Sequence, residues 1–550
     1  MVDHERNKLT RRTTLAATAA AGASIIALSR KAQSTRNAPI MVTPDRLNRG
    51  NGAEPDTLDP NKIQGNWENN IVCDMFLGLM TEDAAAMPIP GAAESFSTSP
   101  DGLVYTFKIR DHRWSDGAPV TAHDFVYSFR RIADPRTAAQ YVPILYPIVN
   151  MQAAAEGKMP TDRIGVRALD DRTLEMRFAY QVPYLSQLLM HQTAMPIPAH
   201  VVEAYGDAWI DAEHMVSNGP YMLKEWVSND HVQLVKNPYF YARDTVAIEN
   251  VFYYPTQDES AAIKRFRGGE FDLLTDTLPP QQVDWLRREL PGEVRLAPFL
   301  LSQYVQFNLR AKPFDDVRVR EALSLAIDRE IICHKVMRGG ETPAYSFVPP
   351  LPDYPGGPSL RFRSMRPDER TARARALLAQ AGFGPRNPLA FDYNTMNSTV
   401  AKIVALALQE MWRQVGCEVR LVPSDSAIQY DLMRKRDFAV GWSGWVADYR
   451  DPKNYLFQFQ SSTTDMNYGD YENPRYDGLV SRSDYVRDPA ERTVMLEAAE
   501  QQLLDDVAIA PVFFGVTRNL VSTEVKGWVD NSINYHRSRW LRLDRRSRIV

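Results

Sequence analysis

The chain has 550 residues, 44% of them hydrophobic and 24% charged, with a formal net charge of −4. Single hydrophobic cores stop growing at about 250–300 residues, so more than one lobe is expected. The mildly acidic balance, without a basic stripe, excludes nucleic acid as a partner, and the ordinary globular composition excludes a long disordered tract.

Arg11-Arg12 precedes Leu15 to Leu28, fourteen small and apolar residues without a charge, and Arg30-Lys31 and Ala32-Gln33-Ser34 follow. A basic region, an apolar stretch and a small-x-small site make residues 1–34 an export signal, cleaved near Ser34 and leading to the periplasm. Fourteen residues are too few to span a bilayer, which takes about 20. The run Thr10 to Leu15 resembles a twin-arginine signal, which exports proteins already folded. Removal of residues 1–34, with six basic and two acidic side chains, takes the formal charge from −4 to −8. Cys73, Cys333 and Cys417 lie far apart, with no CxxC pair; their odd number leaves at least one free.

Residues 45–135 carry short strand-like stretches broken by turns such as Asp101-Gly102 and Asp116-Gly117. Val104 to Ile109 alternates as a half-buried strand, and Thr121 with Asp124 starts a helix over Phe125 to Arg131. Ile164 to Val166 and Thr173 to Phe178 read as paired strands around Asp170-Asp171. From Phe314 the texture changes to amphipathic helices: Val317 to Val336 stopped by Gly339-Gly340, Pro367 to Ala381 stopped by Gly382, Ala401 to Val415 stopped by Gly416, and Pro489 to Asp505. Strands Glu418 to Val422 and Ala508 to Phe514 alternate with them, so the fold class is α/β, in two lobes, the first with extra antiparallel strands.

Nothing in the pattern asks for chemistry. The nine histidines are scattered, and His112 and His123, within the stretch richest in turn signals, read as turn residues. There is no nucleophile elbow, no phosphate loop and no complete dinucleotide fingerprint; Gly382-Phe-Gly384 follows a helix, the wrong context. No enzyme, cofactor or metal is expected. The stretch Trp442-Ser-Gly-Trp-Val-Ala-Asp448-Tyr-Arg-Asp-Pro452 is the one that suggests a ligand. A carboxylate among aromatic faces favours an ammonium group by charge pairing and by cation–π attraction. The same residues also read as a strand ending in a turn, with the tryptophans as ordinary core.

Seven segments together resemble the solute-binding proteins of peptide/nickel ABC transporters, the oligopeptide binders in particular. They are Gly52 to Pro60, Phe76 to Leu79, Trp114 to Phe129, Asn218 to Tyr221, Phe314 to Leu323 with Ala326 to Arg329, Pro343 to Pro350, and Trp445 to Tyr449. The resemblance implies a two-lobed periplasmic-binding-protein fold with a third domain inserted in the first lobe and a hinge between lobes. Residues 38–76, 200–299 and 516–550 would form lobe I, 77–199 the insert, and 300–515 the second lobe. It implies a monomer that takes a peptide ligand, extended, between closing lobes and hands it to the membrane permease of an ABC importer. Carried over residue by residue, Asp448 pairs the α-ammonium, Gly444 and Val446 offer backbone contacts, and Trp445 and Tyr449 wall the first side-chain pocket. Asn66, Tyr141 and Tyr304 line the cleft. Where family members place cations for the ligand carboxylate, this chain has Ala311, Thr399 and Trp442; Arg434, one residue from another such position, would substitute, and Gln64 stands where an acid is usual. The alternative is the same scaffold holding a cell-wall peptide, an opine-like conjugate or a metal chelate.

Export is expected to depend on Arg11-Arg12. Replacing both by lysine keeps the charge and removes the side chains that the twin-arginine receptor reads, so precursor processing should stop; processing at the normal rate would point to the general secretory route.

Overall fold

The computed structural model describes residues 41–275 and 278–549, and the export signal lies outside them. The first lobe opens with strand β1 (Arg46–Gly50) and helix α1 (Asn66–Met75). The chain then leaves for a separate unit. There β2 (Ala93–Thr98), β3 (Val104–Ile109), helix α2 (Ala122–Ile132), β4 (Val166–Asp170) and β5 (Thr173–Arg177) build a four-stranded antiparallel sheet in the order β2-β3-β5-β4. Strand β3 has the bounds its alternation predicts. Helix α2 starts at its capping signal, where the Asp124 carboxylate accepts from Thr121 N and Thr121 Oγ1 at 2.7 and 3.0 Å.

The chain returns through β6 (Tyr221–Val227), β7 (His231–Lys236), β8 (Asn250–Tyr254) and β9 (Leu273–Leu274), then runs along β10 (Val294–Phe307) into the second lobe. That lobe comprises α3 (Val317–Ala326), α4 (Pro367–Gln380), β11 (Leu389–Met396), α5 (Thr399–Gln414), β12 (Cys417–Ser424), α6 (Ser426–Arg434), β13 (Val440–Val446) and α7 (Pro489–Asp505). Strand β14 (Ile509–Val521) carries the chain back. Among the described residues one sheet of eleven strands spans both lobes, in the order β12-β11-β13-β10-β14-β9-β1-β8-β7-β6, with a short strand at Thr342–Pro343 beside β14. The antiparallel pair β10–β14 lies at its centre, and its register breaks between Pro298↔Val516 and Ser302↔Phe514. A Cβ on Gly515 would sit 2.7 Å from Leu301 Cβ, so glycine lets the two strands stay close at the break.

The shared motifs are mostly structural. The Asn218 amide bonds Leu77 N and Leu77 O at 2.9 Å each, joining the first lobe to the start of the excursion. Arg131 on α2 reaches Asp59 at 2.6 Å, tying down the Gly52–Pro60 segment. The helix expected over Val317 to Val336 breaks at Ile327-Asp328. The Asp328 carboxylate accepts from Ile331 N at 3.0 Å and starts a new turn, which runs on as a π-turn to Met337. The fully buried Arg329 donates to Ser324 O and Ile327 O at the break, and to Ala344 O and Pro511 O from distant parts of the lobe. The stop falls at Arg338, at φ 58°, rather than at Gly339. Strand β14 runs seven residues beyond the expected Phe514. The second lobe's core gathers Leu323, Phe391, Tyr393, Val404 and Trp412 around the helix-covered side of β11. All three cysteines are buried free thiols, and burial pushes Cys73 and Cys417 up to about 12.

Glu500 on α7 shows how the Pro343–Pro350 motif is held. Its buried carboxyl accepts from Phe347 N, Val348 N and Tyr354 Oη at 2.7, 2.8 and 2.7 Å, and burial raises its pKa to about 7. Glu500→Ala would strand these buried donors, so a loss of about 2–4 kcal/mol is expected in urea unfolding. An unchanged midpoint would show that the loop does not depend on this carboxyl.

Candidate functional site

Strand β13 pairs antiparallel with β10 along its whole length, Leu301↔Val446 to Phe307↔Val440. Its other edge meets β11 at Val440 and Gly441 alone among the described residues, so from Ser443 to Val446 that edge is open. It borders a cleft of about 1160 Å³. Residues 140–184 form one wall and residues 301–484 the other; none of 46–76, 200–275, 278–299 or 516–549 lines it. Gly444 sits under the Gln303 side chain, where a Cβ would lie 2.7 Å from Oε1.

Beyond β13 the chain makes a tight turn, anchored at Ala447 N to Leu300 O (2.9 Å). Asn454 organises it: its Oδ1 accepts from Trp445 Nε1 at 3.0 Å and Asp448 N at 3.3 Å, and its side chain also bonds the Asp448 carboxylate. Asp451 holds Arg492 through two bonds of 2.8 and 2.9 Å, and Lys453 pairs with Asp484 while its ammonium sits 4.9 Å over the Tyr180 ring. Tyr449 stacks on Tyr184 at 4.2 Å between ring centroids, and Trp445 meets the edge of Phe457 at 5.7 Å. Asp448 therefore stands in the cleft wall on a turn fixed from several sides.

Its electrostatics set it apart from the other acids of the turn. Burial raises the Asp448 carboxyl to about 6, against which the Asn454 bond acts only in part. Asp451 and Asp484 each have a cation; among the described residues no lysine, arginine or histidine forms an ion pair with Asp448. Burial raises the hydroxyls of Tyr141, across the cleft, and Tyr535, and the Asp448 charge, which reaches both, adds to that rise. Among the described residues no group of three His, Cys, Asp or Glu side chains could hold a metal ion.

Six of the ten residues singled out in the sequence line this cleft: Tyr141, Gly444, Trp445, Val446, Asp448 and Tyr449. The other four lie elsewhere. Trp442 is 3% exposed and packs on Phe513 at 5.9 Å, because it points to the covered side of β13. Tyr304 is 1% exposed, its hydroxyl donating to Gln458 Oε1 and accepting from Ser443 Oγ, both at 3.2 Å. Asn66 is exposed at the start of α1, outside the lining. Arg434 is exposed at the end of α6, one turn past Tyr430, which does line the cleft. Tyr180, Tyr184, Gln303, Lys453 and Asn454 line it without having been singled out. Lys453 and Asn454 follow Pro452 directly, so extending the motif by two residues would have found them.

Ionised Asp448 is a cost to the folded chain. With a folded pKa of about 6 against about 3.9 unfolded, the cost is fully present above pH 6 and fades as pH falls toward 4. Asp448→Asn should therefore raise the melting temperature of the ligand-free protein at pH 7.5 and give no gain at pH 4. A lower melting temperature at pH 7.5 would mean that the carboxylate supports the fold.

The family model for bacterial extracellular solute-binding proteins, family 5, matches residues 87–467. The periplasmic oligopeptide-binding protein OppA of Salmonella typhimurium is 39% identical over 488 residues, 88% of this chain and 89% of its own. The probable deoxycholate-binding periplasmic protein YgiS of Escherichia coli is 34% identical, over 87% of this chain and 89% of its own. The crystal structure of Haemophilus influenzae OppA in complex with RPPGFSPFR matches with a TM-score of 0.79 at 33% identity, covering 92% of this chain and 100% of that one. The chain belongs to the family 5 bacterial extracellular solute-binding proteins, with their two lobes and additional domain.

Proposed function

We propose that this protein captures oligopeptides in the periplasm and delivers them to the membrane permease of an ABC importer. The observation that carries this reading is Asp448, a carboxylate without a cation in an aromatic-walled cleft, beside the open edge of β13. An extended peptide adds to that edge by main-chain bonds through Gly444 and Val446, which ignore side-chain identity. Its α-ammonium group supplies the charge that Asp448 lacks, and this fixes the register. Trp445, Tyr449 and Tyr141 surround the first residue. Residues 38–76, 200–299 and 516–550 form lobe I, 77–199 the insert and 300–515 the second lobe, and β10 and β14 serve as hinge strands at their register break. The cleft walls belong to the insert and the second lobe, so closure brings those two together.

The far end of the ligand is read differently. Among the described residues lining the cleft, Lys453 is the one lysine or arginine, and Asp484 already neutralises it. Burying a free carboxylate there without a partner would cost several kcal/mol. The favoured ligand has a hydrated C-terminus, or none, as in a conjugated or cell-wall peptide.

Titrating RPPGFSPFR with free, acetylated and amidated termini tests both ends. Amidation is expected to change affinity by less than tenfold, ~1.4 kcal/mol. Acetylation should cost about 2–5 kcal/mol, because Asp448 then faces no charge. Absence of binding, or an amidation loss equal to that of acetylation, would overturn the reading.

A further inference from the structure

The turn that carries Asp448 is attached in two ways. Its ion pairs stay within the second lobe: Asp451 with Arg492 and Lys453 with Asp484 hold the turn to α7 and to the segment after Arg482. Arg450, between Asp448 and those anchors, instead points out of the lobe. Its backbone N–H donates to Gln187 Oε1 at 2.7 Å. Its Nε donates to Ser532 Oγ at 3.1 Å, its Nη2 to Ala85 O at 3.3 Å, and its Nη1 lies against Met87 Sδ. Ala85 and Met87 belong to the turn between the paired strands Met80–Glu82 and Pro88–Pro90, Gln187 to the short helix Leu185–Leu188, and Ser532 to the C-terminal segment. One side chain thus joins the insert, the first lobe and the second lobe. The neighbouring Tyr449–Tyr184 stack crosses the same boundary.

We infer that Arg450 is a closure latch, a positioning residue that holds the Asp448 turn against the opposite wall and slows ligand release. This rests on the peptide-capture reading above. The chemistry of its partners suits a contact that must break in each cycle. Among the described residues no carboxylate forms an ion pair with the half-buried guanidinium, on which Asp83 acts only through its charge; a carbonyl, a hydroxyl and a thioether receive it. Hydrogen bonds to neutral groups add only modestly to stability, because water replaces them on opening, whereas breaking a buried ion pair is far more costly. The two ion pairs that follow Arg450 in the turn keep its shape when the lobes part, and Arg450 then finds its partners again on closing. A latch made after encounter acts on the rate of release and leaves the rate of association alone.

Stopped-flow binding of RPPGFSPFR to the full-length exported protein reads this directly. Arg450→Ala should raise the dissociation rate about tenfold and leave the association rate within about twofold. Arg450→Lys, which keeps the charge and one donor group, should recover part of the loss. Ser532→Ala should raise the dissociation rate less, and its effect should largely vanish in the Arg450→Ala background, because both remove the same bond. An unchanged dissociation rate in Arg450→Ala overturns the latch. So does equal loss in both rate constants, which would mark a general structural role. If the wild-type protein itself does not bind this peptide, the peptide-capture reading is what has failed. The latch then stands or falls on small-angle scattering of the free protein: an enlarged radius of gyration in Arg450→Ala supports it, and an unchanged one overturns it.

Discussion

The antiparallel pairing of β10 with β14 is the constraint on which the rest of the molecule hangs. These strands of 14 and 13 residues carry the chain into the second lobe and out again. Because they bond to each other, the two crossings cannot move apart, and both lobes extend one continuous sheet from this centre. The register break at residues 299–301 removes ladder bonds in the middle of this pair. A strand pair with its ladder interrupted bends more readily there than one fully bonded. The cleft opens beside the break: Leu301 and Gln303 of β10 line it, and β13, which bears the turn with Asp448, is β10's next neighbour.

Much of the fold was legible because capping and turn chemistry act over three or four residues. The bounds of α7 agree with the sequence to the residue, and α4 and α5 to within two, since Asp488, Pro367 and Ser398 mark their starts and Gly382 and Gly416 their stops. The break at Asp328 was not legible. Apolar spacing continues through Ile327 and Ile331, and what ends the helix is a cap together with the burial of Arg329 against Ala344 and Pro511, residues distant in sequence. Long-range partners decide such cases, and periodicity does not contain them.

The site divides in the same way. The turn from Trp445 to Tyr449 is local, so its aromatic and acidic character could be read directly. Trp442 differs from Trp445 by three positions on one strand, which places them on opposite faces of the sheet. Which face is the core depends on what covers it, and Phe513 covers the Trp442 face. Tyr304 was misplaced for a related reason: its partners are Ser443, directly across the ladder, and Gln458, neither adjacent in sequence. The wall contributed by Tyr180 and Tyr184 could not be placed from sequence at all, because it depends on how the inserted unit sits over the second lobe.

Under the peptide reading, the charge pattern of the turn also links capture to closure. A carboxylate held at about pKa 6 is already partly dehydrated, and bringing the opposite wall over it removes more water. Closing an empty cleft therefore works against the ionised Asp448, whereas closing over an ammonium group buries a neutral pair. The difference in free energy between these two closures is what a ligand can contribute to shifting the lobes, and a ligand without a cation there contributes little. Neighbouring acids do not interfere, because Arg492 and Lys453 neutralise Asp451 and Asp484 whether or not the cleft is filled. Compensating those two within their own lobe, and leaving the third for the ligand, makes Asp448 the group whose charge balance changes on binding.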